Sequence, residues 1–575
     1  MGYRIGHLGL IIPEATTDSS QTIDLVQAKV WRDSLHIQDL KASVQSTNQF
    51  LKSLAQAQIP TSQRLEILNL TRPIVSFLCS TIEGLNQKHP INAESQVQVF
   101  QIKLSLQLEL FNQFKFSLEQ AFNDQLTNKS LLANLIFACL QQSCKLLFFC
   151  FQAHQPVPKF IWLETHKLYE LSEKEGFGNQ NMEPIPYTHS QFKNCEDLYK
   201  HILIFSLTNP LRFQKEEMLK LYYAIEAWAP LLKLQTATRT PPALFKVDLS
   251  QDAPPHYTAL DNNSGQSIYY LDFDNIIKRI DILLAHTENP EKRIIPPLAP
   301  HESTLCPDIL HTLSHIWKHY GQRSVQRMSM TGVRTVAVGL RAIHWLTTEV
   351  QKESEKKRDL KKQSSSKNHI EDDIDDDIEE IILDAFSLPQ DLQEQQLTKA
   401  TPSTIQCDII DRSENGYCLK WEYKHGHQLK TNELIGVLQD GDPENITWKI
   451  AIVRWVKETD ATHKLIGLET LARQVSPIYL QPREKQKTQT NALFVSDILN
   501  KNIPFMIITP KLIYAAEDSL EVVALEQNYE ARLIQDLELS PLYAIWEAEI
   551  DGAISSALES TQNTPHMTIS KPDSH

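Results

Sequence analysis

Glycine is scarce. The 575 residues hold 16 glycines, and between residues 21 and 235 they are Gly84, Gly176 and Gly178. That scarcity suits helices joined by short turns. Positive charge is also in deficit, with 56 Lys and Arg against 71 Asp and Glu, a formal net charge of −15. A general nucleic-acid binder would need a basic footprint, so nucleic acid is excluded as the main partner. A small anionic ligand is not excluded, because two local arginines suffice. The eight cysteines form no C-x-x-C pair. Cys139, Cys144 and Cys150 fall in one apolar stretch and read as buried free thiols in a reducing cytoplasm, with a zinc site as the alternative. No apolar run of membrane-span length is unbroken: Leu131 to Phe151 is interrupted by Asn134, Gln141, Gln142, Ser143 and Lys145 and reads as a buried helix. The start, Met1-Gly-Tyr-Arg-Ile-Gly-His, lacks the apolar core of a signal peptide. A cytoplasmic protein without membrane insertion is expected. There is no Walker glycine loop, no G-x-S-x-G and no H-E-x-x-H, so no enzyme is expected. Trp317, Trp345 and Trp421 read as core residues.

What is present divides the chain. Residues 1–20 read as a ragged polar lead. From 21 to 235 the apolar residues recur at helical spacing, as at Val26, Val30, Leu51 and Leu54. Helix breaks are expected at Ile59 to Ser62, Lys88 to Ile91, Leu126 to Lys129 and Gln155 to Pro158. Amphipathic stretches at Trp162 to Leu171 and Phe213 to Leu234 suggest stacked helices with a groove for a partner. The absence of a fixed repeat period leaves a plain bundle as the alternative to a solenoid. Residues 236–302 read as a small α+β connector, with strands at Leu244 to Leu249 and Ile268 to Phe273 and a helix from Phe273 to His286. The next helix, Ser303 to Tyr320, carries His311, His315 and His319 on one stripe. Without a nearby carboxylate or thiol partner they read as ordinary histidines, and no metal site is assigned.

The remainder reads as β-structure. Strands are expected at Val333 to Leu340, Ile405 to Ile410, Gly416 to Glu422, Leu434 to Gln439, Lys449 to Val456 and Leu465 to Leu471. Residues 349–402 are charged, with the acidic run Glu371 to Glu380, and read as a disordered insert thrown out of the barrel. Residues 476–490 read as a polar linker, 491 to about 550 as a second small β-unit, and 557–575 as a disordered tail.

Two short pieces stand out. Arg323-Ser-Val-Gln-Arg327 presents two guanidiniums on one segment, and Asp411-Arg-Ser-Glu-Asn-Gly416 is a polar turn between two apolar runs. A guanidinium forks onto phosphate oxygens and also lies flat on a purine. Asp and Ser suit the polar edge of a guanine, and Gly lets the backbone turn. Neither piece is specific alone. In this order, with strands in the matching places, they resemble the two motifs of the PilZ domain, the bacterial receptor module for cyclic di-GMP. The resemblance covers roughly residues 321–475 and departs from the family in the long gap between its motifs.

The resemblance implies an α+β multidomain protein. An N-terminal all-α helical region (1–235, solenoid-like or bundle) and the connector 236–302 precede a PilZ-type antiparallel β-barrel (303–475) and the second β-unit (476–556). It implies that Arg323 and Arg327 take phosphate and stack on guanine, that Asp411 and Ser413 hydrogen-bond the ligand, and that Gly416 keeps the turn open. Gln322 and Arg334 are accessories without motif support. It further implies a second-messenger receptor whose helical region grips a protein partner, such as pilus machinery at a cell pole, in type IV pilus-dependent surface attachment or motility. The GGDEF and EAL signatures of enzymes that make or cleave this nucleotide are absent. A scaffold with a degenerate, ligand-free barrel is the alternative.

Overall fold

The computed structural model describes residues 3–550 apart from 15–22, 37, 89–92, 183–191, 237–242, 261–264, 266, 289–298, 300, 320–327, 365–403, 414, 424–428, 440–446, 460–461, 483–488, 500–502, 504, 511–513, 525–526 and 541. It has two compact units, residues 1–324 with 457–462, and residues 325–456 with 463–575.

The first unit is mainly helical. Its helices are α1 (Leu25–Asp33), α2 (Leu40–Leu54), α3 (Thr61–Lys88), α4 (Ala93–Asn123), α5 (Lys129–Gln152), α6 (Ile161–Lys174), α7 (Cys195–Ser206) and α8 (Lys215–Trp228), and the four gaps from α2 to α6 fall at the expected breaks. Asn128 caps α5 by accepting from the Leu131 N–H at 3.1 Å, and Asn194 caps α7 by accepting from Asp197. Helix α5 is long and apolar enough to cross a bilayer by composition, but Leu135, Ile136, Cys139, Leu140, Cys144 and Leu147 along it are fully buried in this unit. It is a core helix.

The amino terminus corrects the sequence reading. Residues read as a ragged lead form a hairpin of β1 (Tyr3–Ile5) and β2 (Ile11–Pro13), with Leu10 and Ile12 buried. Its backbone N–H groups are taken by carboxylates far along the chain. Glu119 accepts from His7 and Leu8, and Glu164 accepts from Ile11 at 2.7 Å. Nothing local announces such tertiary partners.

The connector is not a separate body. Strands β3 (Lys233–Gln235), β4 (Phe245–Asp248), β5 (His256–Tyr257) and β6 (Ile268–Asp272) form an antiparallel sheet in the order β3-β6-β4-β5. With α9 (Asp274–Glu288) and α10 (Pro307–Lys318) it adds Phe245, Val247, Leu271 and Trp317 to the helical core. Pro307 starts α10 at the position where a missing N–H costs nothing. The rings of His315 and His319 lie 5.2 Å apart at its end.

The second unit is built around one long strand. Strands β8 (Val333–Val338), β9 (Ile405–Ser413), β10 (Gly416–Glu422), β11 (Leu434–Leu438) and β12 (Trp448–Glu458) pair in the order β10-β9-β8-β11-β12, and β13 (His463–Pro482) closes the ring by pairing with β10. Val336, Ile409, Leu419, Trp421, Val437, Val453 and Ile466 fill this barrel. The same β13 continues into a second ring with β14 (Thr490–Ile498), β15 (Met506–Pro510), β16 (Ser519–Ala524), β17 (Gln527–Leu539) and β18 (Tyr543–Ile550). Its interior holds Ile478, Leu480, Phe494, Ile507, Val522, Leu533 and Trp546. Among the described residues, each ring has six strands and β13 belongs to both. Closure removes the exposed edges that an open sheet would present.

Two further readings change. The stretch read as a polar linker from 476 is strand as far as Pro482, because Ile478 and Leu480 reach the second core. The charged insert begins later than 349. Helix α11 (Leu340–Ser364) runs through its first part, and residues 365–402 lie outside the described residues. Gly339, at φ +84°, turns β8 into this helix, and Ile343 and Leu346 anchor its first turns between the two rings. Once an anchored turn exists, each added Lys, Glu or Gln extends the helix at little cost.

Candidate functional site

Asp411, Arg412 and Ser413 end β9, and Gly416 opens β10. Across this hairpin Ser413 faces Gly416, Arg412 faces Tyr417 and Asp411 faces Cys418, with a register shift just beyond Cys418. Asp411, Arg412 and Ser413 are partly exposed at this end of the barrel. The Arg412 guanidinium lies 5.7 Å from the centre of the Tyr417 ring.

Gly416 has a steric reason. It is buried and paired with Glu469 of β13, and a side chain there would run into the Leu468 carbonyl oxygen. No other residue lets β10 approach β13 so closely without displacing backbone.

A short strand, β7 (Met328–Ser329), lies against the other side of β9, with Met328 across from Arg412 and Ser329 across from Asp411. It follows Arg327 directly in sequence. Arg323 and Arg327 themselves, with Gln322, lie outside the described residues. Arg334 is buried on β8, with Nη1 donating to the Val333 carbonyl at 3.0 Å.

Sequence reasoning missed two groups. Arg412 is a further cation inside the Asp411-to-Gly416 motif, and its charge was visible in the sequence. Arg454 on β12 was not singled out. It donates to Glu469 of β13 at 2.6 Å and forks onto Glu538 of β17 at 2.8 and 3.0 Å. Burial opposes the Arg454 charge, but the two carboxylates outweigh it and raise its pKa. This cluster ties one ring to the other through Glu469, the residue that faces Gly416.

Two family matches cover most of the chain. Residues 26–240 match the family described as "Cyclic-di-GMP receptor FimW, N-terminal domain", and residues 244–477 match "Cyclic-di-GMP receptor FimW, middle PilZ domain". With the barrel and the paired motifs, they make the chain a member of the PilZ-domain receptor family in its long form, helical region first. It is similar to the cyclic-di-GMP receptor FimW of Pseudomonas aeruginosa, 26% identical over an alignment of 543 positions that covers 88% of this chain and 87% of that protein. No solved structure matches the chain significantly.

Proposed function

We propose that this protein is a cytoplasmic, non-enzymatic receptor for cyclic di-GMP, with the binding site on the PilZ barrel of the region 303–475. Arg323 and Arg327 grip phosphate and stack on guanine. Asp411 and Ser413 hydrogen-bond the ligand, and Gly416 sets the turn. The observation that carries this reading is the pairing of β7 with β9. Ser329 across from Asp411 brings the chain that leaves Arg327 to the edge of the second motif. Charge-assisted forks of this kind are the stronger hydrogen bonds, and a cation over a purine face adds about 1 kcal/mol.

The output in this reading is a protein partner held by the helical region, in type IV pilus-dependent surface attachment. Nucleotide shifts the protein between states only by its differential affinity for them. An arginine segment that meets the ligand in one arrangement alone supplies that difference. Radiolabelled cyclic di-GMP, competed with unlabelled cyclic di-GMP, cyclic di-AMP and GMP, tests the ligand. Saturable binding displaced by cyclic di-GMP alone supports the receptor. Absent binding would leave a scaffold with a degenerate barrel.

A further inference from the structure

Helices α3 and α5 enclose a guanidinium whose gripping edge has no hydrogen-bond partner. Arg72 on α3 is 3% exposed. Its Nη1 donates to the Gln141 side chain on α5, and its Cζ lies 4.6 Å from the centre of the Phe114 ring. Its Nε and Nη2 are buried and have no hydrogen-bond partner. These two N–H groups form one edge of the planar cation, the edge that takes a carboxylate or phosphate by two parallel bonds. The same unit contains that edge filled: Arg279 holds Glu302 through its Nε and Nη2.

A second cation adjoins the first. Lys145 on α5 donates to the Ser76 hydroxyl of α3 at 2.7 Å. Burial and the Arg72 charge press its pKa down to about 8. Among the described residues no carboxylate pairs with Arg72 or Lys145. Two carboxylates of the same unit are held by other cations: Glu164 by Lys115 at 2.7 and 2.8 Å, and Glu83 by Lys103 at 2.6 Å and Lys215 at 3.0 Å. A buried guanidinium with open donors beside a second cation is unfavourable until an anion completes it. The flank of Pro73, Ser76, Gln141 and Lys145 is only half-buried, so the pair lies near the surface of this unit.

We propose that Arg72 and Lys145 form an oxyanion site between α3 and α5. A carboxylate or phosphate takes the free Nε and Nη2 edge of Arg72 and faces the Lys145 ammonium. Two sources present that chemistry, a free ion or an acidic side chain of a protein partner. This site is independent of the barrel and of its nucleotide.

The test uses the full chain in a zwitterionic buffer with chloride as the counter-ion. Thermal unfolding and calorimetry are followed against inorganic phosphate, acetate and the peptide acetyl-Glu-Glu-Glu-amide, for the wild type, Arg72→Met and Lys145→Met. The expected result is a saturable rise in Tm and a binding heat with at least one probe, weakened tenfold or more in each variant. Arg72→Met should also melt higher than wild type without any probe, because an unpaired buried charge is gone. A response to phosphate or acetate assigns a free ion, and a response to the peptide alone assigns an acidic protein. No saturable response to any probe, or a response in both variants equal to that of the wild type, overturns the proposal. If Arg72→Met does not fold, the half-exposed Lys145→Met carries the comparison.

Discussion

Gly416 stands directly across from Glu469, and the backbone of Leu468 occupies the space that a side chain at 416 would need. The turn glycine of the second motif is therefore also the closure point of the barrel. Gly416→Ala forces β10 and β13 apart, and overpacking of this kind costs about 1–3 kcal/mol. Urea titration of the variant should give an earlier midpoint. An unchanged midpoint would mean that the seam opens freely.

Arg454 fastens the two rings. It holds Glu469 on the shared strand and Glu538 on the second ring, and its side chain is 21% exposed. Arg454→Met leaves two carboxylates facing each other without their cation. The pair is partly solvated, which tempers the loss to about 1–3 kcal/mol. Removing one of the two negative charges with Glu538→Gln in the same chain should recover part of it. A double-mutant cycle with no coupling would contradict the link.

Two buried histidines make the helical unit acid-sensitive. His166 Nε2 donates to the Ala253 carbonyl at 2.9 Å, so Nδ1 is left to accept from the Tyr199 hydroxyl at 2.8 Å. His201 Nε2 donates to the Tyr222 carbonyl at 2.8 Å. Burial lowers each pKa from 6.5 to about 4, against the weaker pull of the backbone carbonyl. Below pH 6.5 the unfolded chain binds protons that the folded chain refuses. Stability is full above that pH and falls between 6.5 and 4, by about 1.4 kcal/mol per pH unit for each histidine. Denaturation midpoints over this range should show that slope, and His201→Phe should remove one share of it. A flat profile would contradict neutral buried imidazoles.

The thiols should behave in two classes. Cys139, Cys144, Cys150, Cys195 and Cys407 are buried, and burial raises each pKa, to about 12 for Cys150, Cys195 and Cys407. Cys306, which precedes α10, is the exposed one. A thiol reagent should titrate one cysteine in the native protein and all eight in denaturant. Rapid native reaction at several sites would contradict the packing of α5.

Much of the fold could be read locally. The helix breaks near Ser62, Ile91, Lys129 and Pro158 carry their own capping and proline chemistry, and alternation along Ile405 to Ile410 marks a strand. The amino-terminal hairpin could not be read, because its partners Glu119 and Glu164 lie more than a hundred residues away. The sequence reading ends the strand at Leu471 because Pro477 and Pro482 look like linker residues, yet Ile478 and Leu480 continue it into a second core. Helix α11 was lost in the charge of its later turns. At the candidate site, the motif showed Asp411, Ser413 and Gly416. Arg454 acts through partners on two other strands, and no local pattern announces it.

The central claim concerns the ligand. The most direct measurement is calorimetric titration of the purified protein with cyclic di-GMP, beside the Arg323→Ala/Arg327→Ala variant. The receptor reading predicts saturable heat for the wild type, at least a hundredfold weaker binding for the variant (about 3 kcal/mol or more), and equal far-ultraviolet circular dichroism for both. Absence of heat with the wild type, or equal binding by the variant, would contradict it.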